Sequence, residues 1–169
     1  MNNNIINPTD LQLNDEHVIQ IKRVSKATTG GRRMRFSAVV VVGDGSGHVG
    51  IGFGRANEVA SAVDKAKISA KKRIFKTPMI KGTIPHRLDI KFGSVKLMIK
   101  PASPGTGIIA GAAVRAIMEH LGITDILTKN TGSTNPINVV KAVEFGLKQL
   151  RDPLMVSRQR GISLKELFN

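Results

Sequence analysis

Between Val49 and Gly54 the chain reads V-G-I-G-F-G. Val49, Ile51 and Phe53 alternate with Gly50, Gly52 and Gly54. Successive side chains of an extended strand point to opposite faces, so one face here is apolar and the other carries no side chain. Such a strand invites a close approach to its backbone. Its neighbours extend the pattern. Phe36 to Val42 is a valine-rich apolar run suited to a strand. Asp44-Gly45 supplies turn residues for a hairpin between the two. Just upstream stand Gly30, Gly31, Arg32, Arg33 and Arg35. The expectation is a rigid basic hairpin whose bare face lies against RNA.

Charge supports a polyanionic partner. The 169 residues carry a net charge of +14, with a pI near 10.7. Residues 22–100 hold 18 Lys and Arg against four acids, Asp44, Glu58, Asp64 and Asp89, and so account for the whole excess. Cysteine is absent, which excludes disulfides and thiolate metal sites. No apolar run approaches the roughly 20 residues that cross a bilayer, and no signal-peptide pattern opens the chain. A soluble intracellular protein is expected. With no Trp or Tyr and six Phe, base stacking on aromatic platforms is disfavoured relative to backbone and shape contacts.

Residues 1–16, polar and Asn-rich, read as a flexible tail. His17 to Val24 reads as a strand, and Ser25 to Arg33 as a loop marked by paired glycines. A helix is expected from about Asn57, its N-cap, to Lys76. Its apolar stripe is Val59, Ala62, Val63, Ala66, Ala70 and Ile74. Lys65, Lys72 and Lys76 share one flank; Ile68 and Phe75 lie opposite the stripe, available to a second domain. Thr77 to Gly82 reads as a linker. A second hairpin follows, Ile84–Phe92 and Val95–Ile99. After the loop Pro101–Gly107, a helix has the stripe Ile109, Ala112, Ala113, Ala116, Ile117 and Leu121. Ile123 to Lys129 reads as a strand. Asn135-Pro136 caps a helix that Pro153 ends, with Glu144 and Lys148 paired outward. Ser163–Glu166 fits a capping box. The order βββα, then ββαβα, predicts an α+β protein of two small two-layer domains, residues 17–80 and 81–169.

Three stretches resemble one family: RVSKATTGGRRMRFSAVVVVGDGSGHVGIGFGRANEV, PASPGTGIIAGAAVRAIMEHLGI and GSTNPINVVKA. They are similar to the bacterial-type small-subunit ribosomal protein number five, from about Val18 to Phe168. The resemblance implies an N-terminal domain like a double-stranded RNA-binding fold and a C-terminal α/β domain with a left-handed crossover. It implies a constituent of the small subunit that binds its ribosomal RNA and aids assembly. Such a protein lines the channel through which messenger RNA enters and supports decoding accuracy. The ribosome concerned is cytoplasmic and bacterial, or organellar. Ribosomal proteins four and eight of the small subunit are implied as partners; no membrane, cofactor, metal or homo-oligomer is.

By motif match, Arg23, Ser25, Lys26 and the loop through Thr28, Gly30, Gly31 and Arg32 to Arg33 correspond to the segment reaching toward the neck of the subunit, and Arg35 joins them in the expected RNA set. Arg55, Asn57, Lys65 and Lys72 complete the expected RNA set. Gly107 and Arg115 match the face that meets ribosomal protein four. One departure from the family pattern is Thr28-Thr29, where many relatives carry a basic residue before the glycine pair.

Two glycine-rich stretches suggest rival chemistry. Gly45 to Gly50 fits G-x-G-x-x-G, but a strand follows where a dinucleotide site needs a helix, and the chain has no H-R-D or D-F-G. Pro101–Ala113 loosely resembles the phosphate loop of galactokinase–homoserine kinase enzymes. Ile108 and Ile109 replace that pattern's serines, and Asp89, Glu119 and Asp125 show no convergence for Mg²⁺. Close helix packing and a protein interface are the preferred reading. His86 reads as a core residue; His17, His48 and His120 share no metal-ligand spacing. No enzyme is expected.

Overall fold

The computed structural model describes residues 11, 13 and 16–168. The tail expected over residues 1–16 lies outside these, apart from 11, 13 and Glu16, which forms an ion pair with Lys67. Three long strands open the fold: β1 (His17–Thr28), β2 (Gly31–Gly43) and β3 (His48–Ala56). They pair antiparallel in that order, and the two-residue β4 (Phe75–Lys76) joins beside β3.

Helix α1 (Val59–Lys71) covers the glycine face of β3. A Cβ on Gly50, Gly52 or Gly54 would stand 2.4, 1.9 or 2.0 Å from the carbonyl oxygens of Ala70, Ala66 and Ala62. Alternate strand residues repeat at about 6.8 Å and every fourth helix residue at about 6 Å, so three glycines and three alanines interlock. The bare face therefore receives the protein's own helix. This corrects the expectation that RNA lies there.

The opposite face is apolar and equally buried. Val39, Val41, Val49 and Ile51 join one core with Ile84, Leu97, Ile117 and Leu121 of the second half. That half is a mixed sheet in the order β5-β6-β8-β7, built from β5 (Leu88–Phe92), β6 (Val95–Pro101), β7 (Ile108–Ile109) and β8 (Ile126–Gly132). β7 and β8 are parallel and joined through α2 (Ala112–Leu121). Then come α3 (Pro136–Leu147), α4 (Pro153–Arg160) and α5 (Leu164–Leu167).

The two halves meet at the β2–β3 turn. The Gly45 and Gly47 N–H groups donate to the His120 and Leu121 carbonyls, at 3.1 and 2.9 Å. These end α2, where carbonyls lack intrahelical donors. Within the turn, Asp44 Oδ1 accepts from the Ser46 and His48 N–H groups (2.8 and 3.0 Å), and Oδ2 lies 2.6 Å from His48 Nδ1. Burial pushes the Asp44 carboxyl up, but these hydrogen bonds outweigh it and hold it below its ordinary value. The G-x-G-x-x-G stretch thus serves the joint between the halves.

Several expected boundaries move. α1 ends at Lys71; Phe75 and Lys76 belong to a strand, so Lys76 leaves the helical flank. The N-cap is Glu58 rather than Asn57, and it makes no side-chain cap bond. Phe75 does meet the second half, with Lys148 Nζ 4.8 Å from its ring centre, whereas Ile68 is 56% exposed. Ile109 sits in β7, half exposed, outside the α2 stripe. The strand expected at Ile123 starts at Ile126. α3 stops at Leu147, and Pro153 begins α4 as its first residue behind the Asp152 cap. His86 is half-buried rather than core: Nδ1–H donates to the Arg87 carbonyl (2.9 Å) and Nε2 accepts from the Arg151 N–H (3.2 Å). The Asn135 cap, the Lys148–Glu144 pair at 2.6 Å and the Ser163–Glu166 capping box form as expected.

Candidate nucleic-acid interface

Ser25–Arg33 is not a loop. β1 and β2 continue in register to Thr28 and Gly31, and only Thr29-Gly30 turn the chain. β3 stops pairing at Phe36, so residues 24–28 and 31–35 run on as a two-stranded ribbon. Five residues per strand carry it about 17 Å beyond the sheet. At its tip Gly31 takes φ 132, a conformation that favours glycine. Thr28 Oγ1 donates to the Gly31 carbonyl at 2.9 Å. Gly30 and Gly31 have open space where a Cβ would stand.

Pairing register sorts the cations by face. Residues directly opposite each other in an antiparallel pair share a face. Ser37 lies between Lys22 and Arg55; Arg35 lies opposite Val24; Arg33 lies opposite Lys26. These five cations share the face that, farther along, packs on the second half. All five are exposed, and none joins an ion pair among the described residues. Along the strands the track spans about 14 Å. Residues 17–43 contain no acid. The other face carries Arg23, Ser25 and Arg32, with Arg23 opposite Phe36 and Ser25 opposite Met34.

The remaining expected RNA residues do not all gather here. Asn57 is exposed just before α1, near the ribbon's base. Lys65 is exposed on a flank of α1. Lys72 is the C-cap of α1, near Gly50 at the far end of the sheet. That is about 37 Å from the turn along β2. The expected RNA residues thus divide into a ribbon track and separate helix cations. Lys22 was not among the expected contacts, although strand alternation from Arg35 through Ser37 places it on the track.

The rival phosphate loop is filled from within. Asp125 is only 8% exposed, and its Oδ1 accepts the Gly107 N–H at 2.9 Å. Thr124 Oγ1 donates to its Oδ2 at 2.7 Å. Hydrogen bonds from Gly107 first, then Thr124, hold the carboxyl below its ordinary value, with the Gly105 and Thr106 N–H groups adding to them. The donors that would cradle a phosphate thus already hold a carboxylate. Gly107 keeps φ 77 there. Arg115 is exposed on α2 and donates from Nη2 to the Ile108 carbonyl at 3.1 Å. No cluster of His, Asp and Glu suited to a metal occurs among the described residues, and no helix among them is long and apolar enough to cross a membrane.

Known protein families match both halves of the chain. Residues 14–78 match the family "Ribosomal protein S5, N-terminal domain", and residues 90–160 match "Ribosomal protein S5, C-terminal domain". The chain is 48% identical over 168 residues to the small ribosomal subunit protein uS5 of Bacteroides thetaiotaomicron, covering 99% of this chain and 97% of that one. It is 52% identical over 159 residues to the uS5 protein of Syntrophobacter fumaroxidans, covering 94% and 95%. With both halves of the fold matched in order and nearly full-length identity of this size, the chain belongs to the ribosomal protein S5 family.

Proposed function

We propose that this protein is a structural constituent of the small subunit of a bacterial-type cytoplasmic ribosome, and not an enzyme. It holds ribosomal RNA through phosphate and shape contacts along the ribbon. The observation that carries this reading is Lys26 opposite Arg33 on a projecting, acid-free hairpin. Like charges directly across a strand pair cost stability in the free protein. An anion shared between them removes that cost. Arg35, Lys22 and Arg55 extend the track; Arg23, Ser25 and Arg32 serve the other side of the ribbon. Thr28, Gly30 and Gly31 shape its tip, Asn57 lies near its base, and Lys65 and Lys72 are separate contacts on α1.

The family supports finer assignments within the same proposal. The protein divides near residue 80 and helps the subunit assemble. It borders the path by which messenger RNA enters and supports decoding accuracy. Exposed Arg115 and the Gly107 turn offer a face to ribosomal protein four, with ribosomal protein eight as a further neighbour.

Replacing Arg32 and Arg33 by Ala tests the ribbon. Loss of two phosphate contacts flattens the log–log salt dependence of RNA binding by about 1.4–1.8. Measured with small-subunit ribosomal RNA, an unchanged slope removes the ribbon as a phosphate site. Co-migration with the small subunit through a salt wash on a sucrose gradient separates this reading from a free-standing RNA chaperone.

A further inference from the structure

The second sheet is covered on one side only. Ile90, Val95, Leu97 and Ile99 are buried toward the helices, and Phe92 stacks on Phe145 of α3 with ring centres 5.7 Å apart. The alternate residues face outward. Lys91 lies opposite Lys96, and Lys96 opposite Thr131; in the next row Met98 lies between Asp89 and Lys129. Lys91, Lys96 and Lys129 are exposed. The one acid in residues 81–100 is Asp89, and Arg87 occupies it with two hydrogen bonds, at 2.7 and 2.9 Å. The lysines are left uncompensated.

We propose that this open face is a second RNA-backbone site, centred on Lys91, Lys96 and Lys129 and independent of the ribbon. Directly opposed Lys91 and Lys96 have their Cβ atoms about 5 Å apart, and Lys129 stands one strand and one row away. Two opposed lysines repel in the free protein, and a phosphate between them removes that repulsion. A merely solvated face intersperses both signs of charge; here the one acid from residues 81–100, Asp89, is taken up by Arg87. Lysine is depleted in protein–protein interfaces, whereas here Lys91, Lys96 and Lys129 surround Met98, and apolar Leu127 and Ile109 lie toward the β7 edge. The face carries no aromatic ring for base stacking, so its readout is of backbone and shape.

The test uses the full chain in the Arg32→Ala, Arg33→Ala background, with and without Lys91→Gln, Lys96→Gln and Lys129→Gln. Binding to a double-stranded RNA of two helical turns is followed across a salt series. Loss of three contacts flattens the log–log slope by a further 2–3, roughly 0.7–0.9 per contact. An unchanged slope overturns the proposal. So does weakened binding to poly-glutamate with RNA binding intact, which assigns the face to an acidic protein. A second measurement needs no substitution: lysine acetylation of the unsubstituted chain, mapped by mass spectrometry. RNA is expected to protect Lys91, Lys96 and Lys129 but not Lys165 on α5. Equal acetylation with and without RNA overturns the proposal even if the triple variant fails to fold. The Arg32 and Arg33 changes alone report on the ribbon, so failure of one site is distinguishable from failure of the other.

Discussion

The two sheets solve the same problem differently. The first is buried on both faces, by α1 across the glycines and by the second half across the valines. Its track cations stand where β1 and β2 outrun the core, on a narrow projecting ribbon and, at Lys22 and Arg55, at its base. The second sheet is buried on one face, and its cations stand on the broad face left over. How a basic chain presents charge is therefore decided by how much of each sheet its apolar residues must cover.

The sharpest way to break that comparison is to uncouple the first sheet from its helix. Gly52→Val places a side chain where a Cβ already stands 1.9 Å from the Ala66 carbonyl oxygen. Loss of about 3 kcal/mol or more is expected by urea denaturation, since neither backbone can yield. Gly30→Ala, in open space at the ribbon turn, is the matched control and should leave the urea midpoint in place; equal losses at the two sites would refute the interlock.

Asp125→Asn probes the second half. The wild-type carboxyl is held below its ordinary value. Its contribution to stability is thus complete above the ordinary carboxylate range and is lost as pH falls through the lowered, folded value. The variant should show a flatter acid limb in thermal melts taken as a function of pH; an identical limb would assign the acid sensitivity elsewhere.

A smaller effect separates stability from function on the ribbon. Arg33→Glu turns the repulsive pair with Lys26 into an attractive one. It should stabilise the protein by roughly 0.2–1 kcal/mol while weakening RNA binding. Stabilisation without weakened binding would mean that the track carries charge for some other purpose.

Elements with an internal period or a capping signature were readable from residues alone. The valine strands, the Asn135-Pro136 start and the Ser163–Glu166 box are of this kind. Ser25–Arg33 was not, because a ribbon exposed on both faces has no apolar alternation to betray a strand. β4 and β7, two residues each, exist through their partners in space. The glycine alternation announced a close approach without saying what approaches; that depended on alanines spaced four apart, whose match to the glycines only the assembled layers reveal. Asp125 went unrecognised as an anchor because its loop lies 18 residues upstream. For the cations of β1 and β2, charge was legible, but face was not, since it required the register.

The turn at Gly45 and Gly47 gives the molecule a fixed geometry. Its N–H groups finish α2, and the valines behind it belong to the core of the other half. The ribbon and the lysine face extend from two sheets that share one apolar core. Two cationic surfaces carried on one body set a spacing, and a partner that meets both is read by that distance.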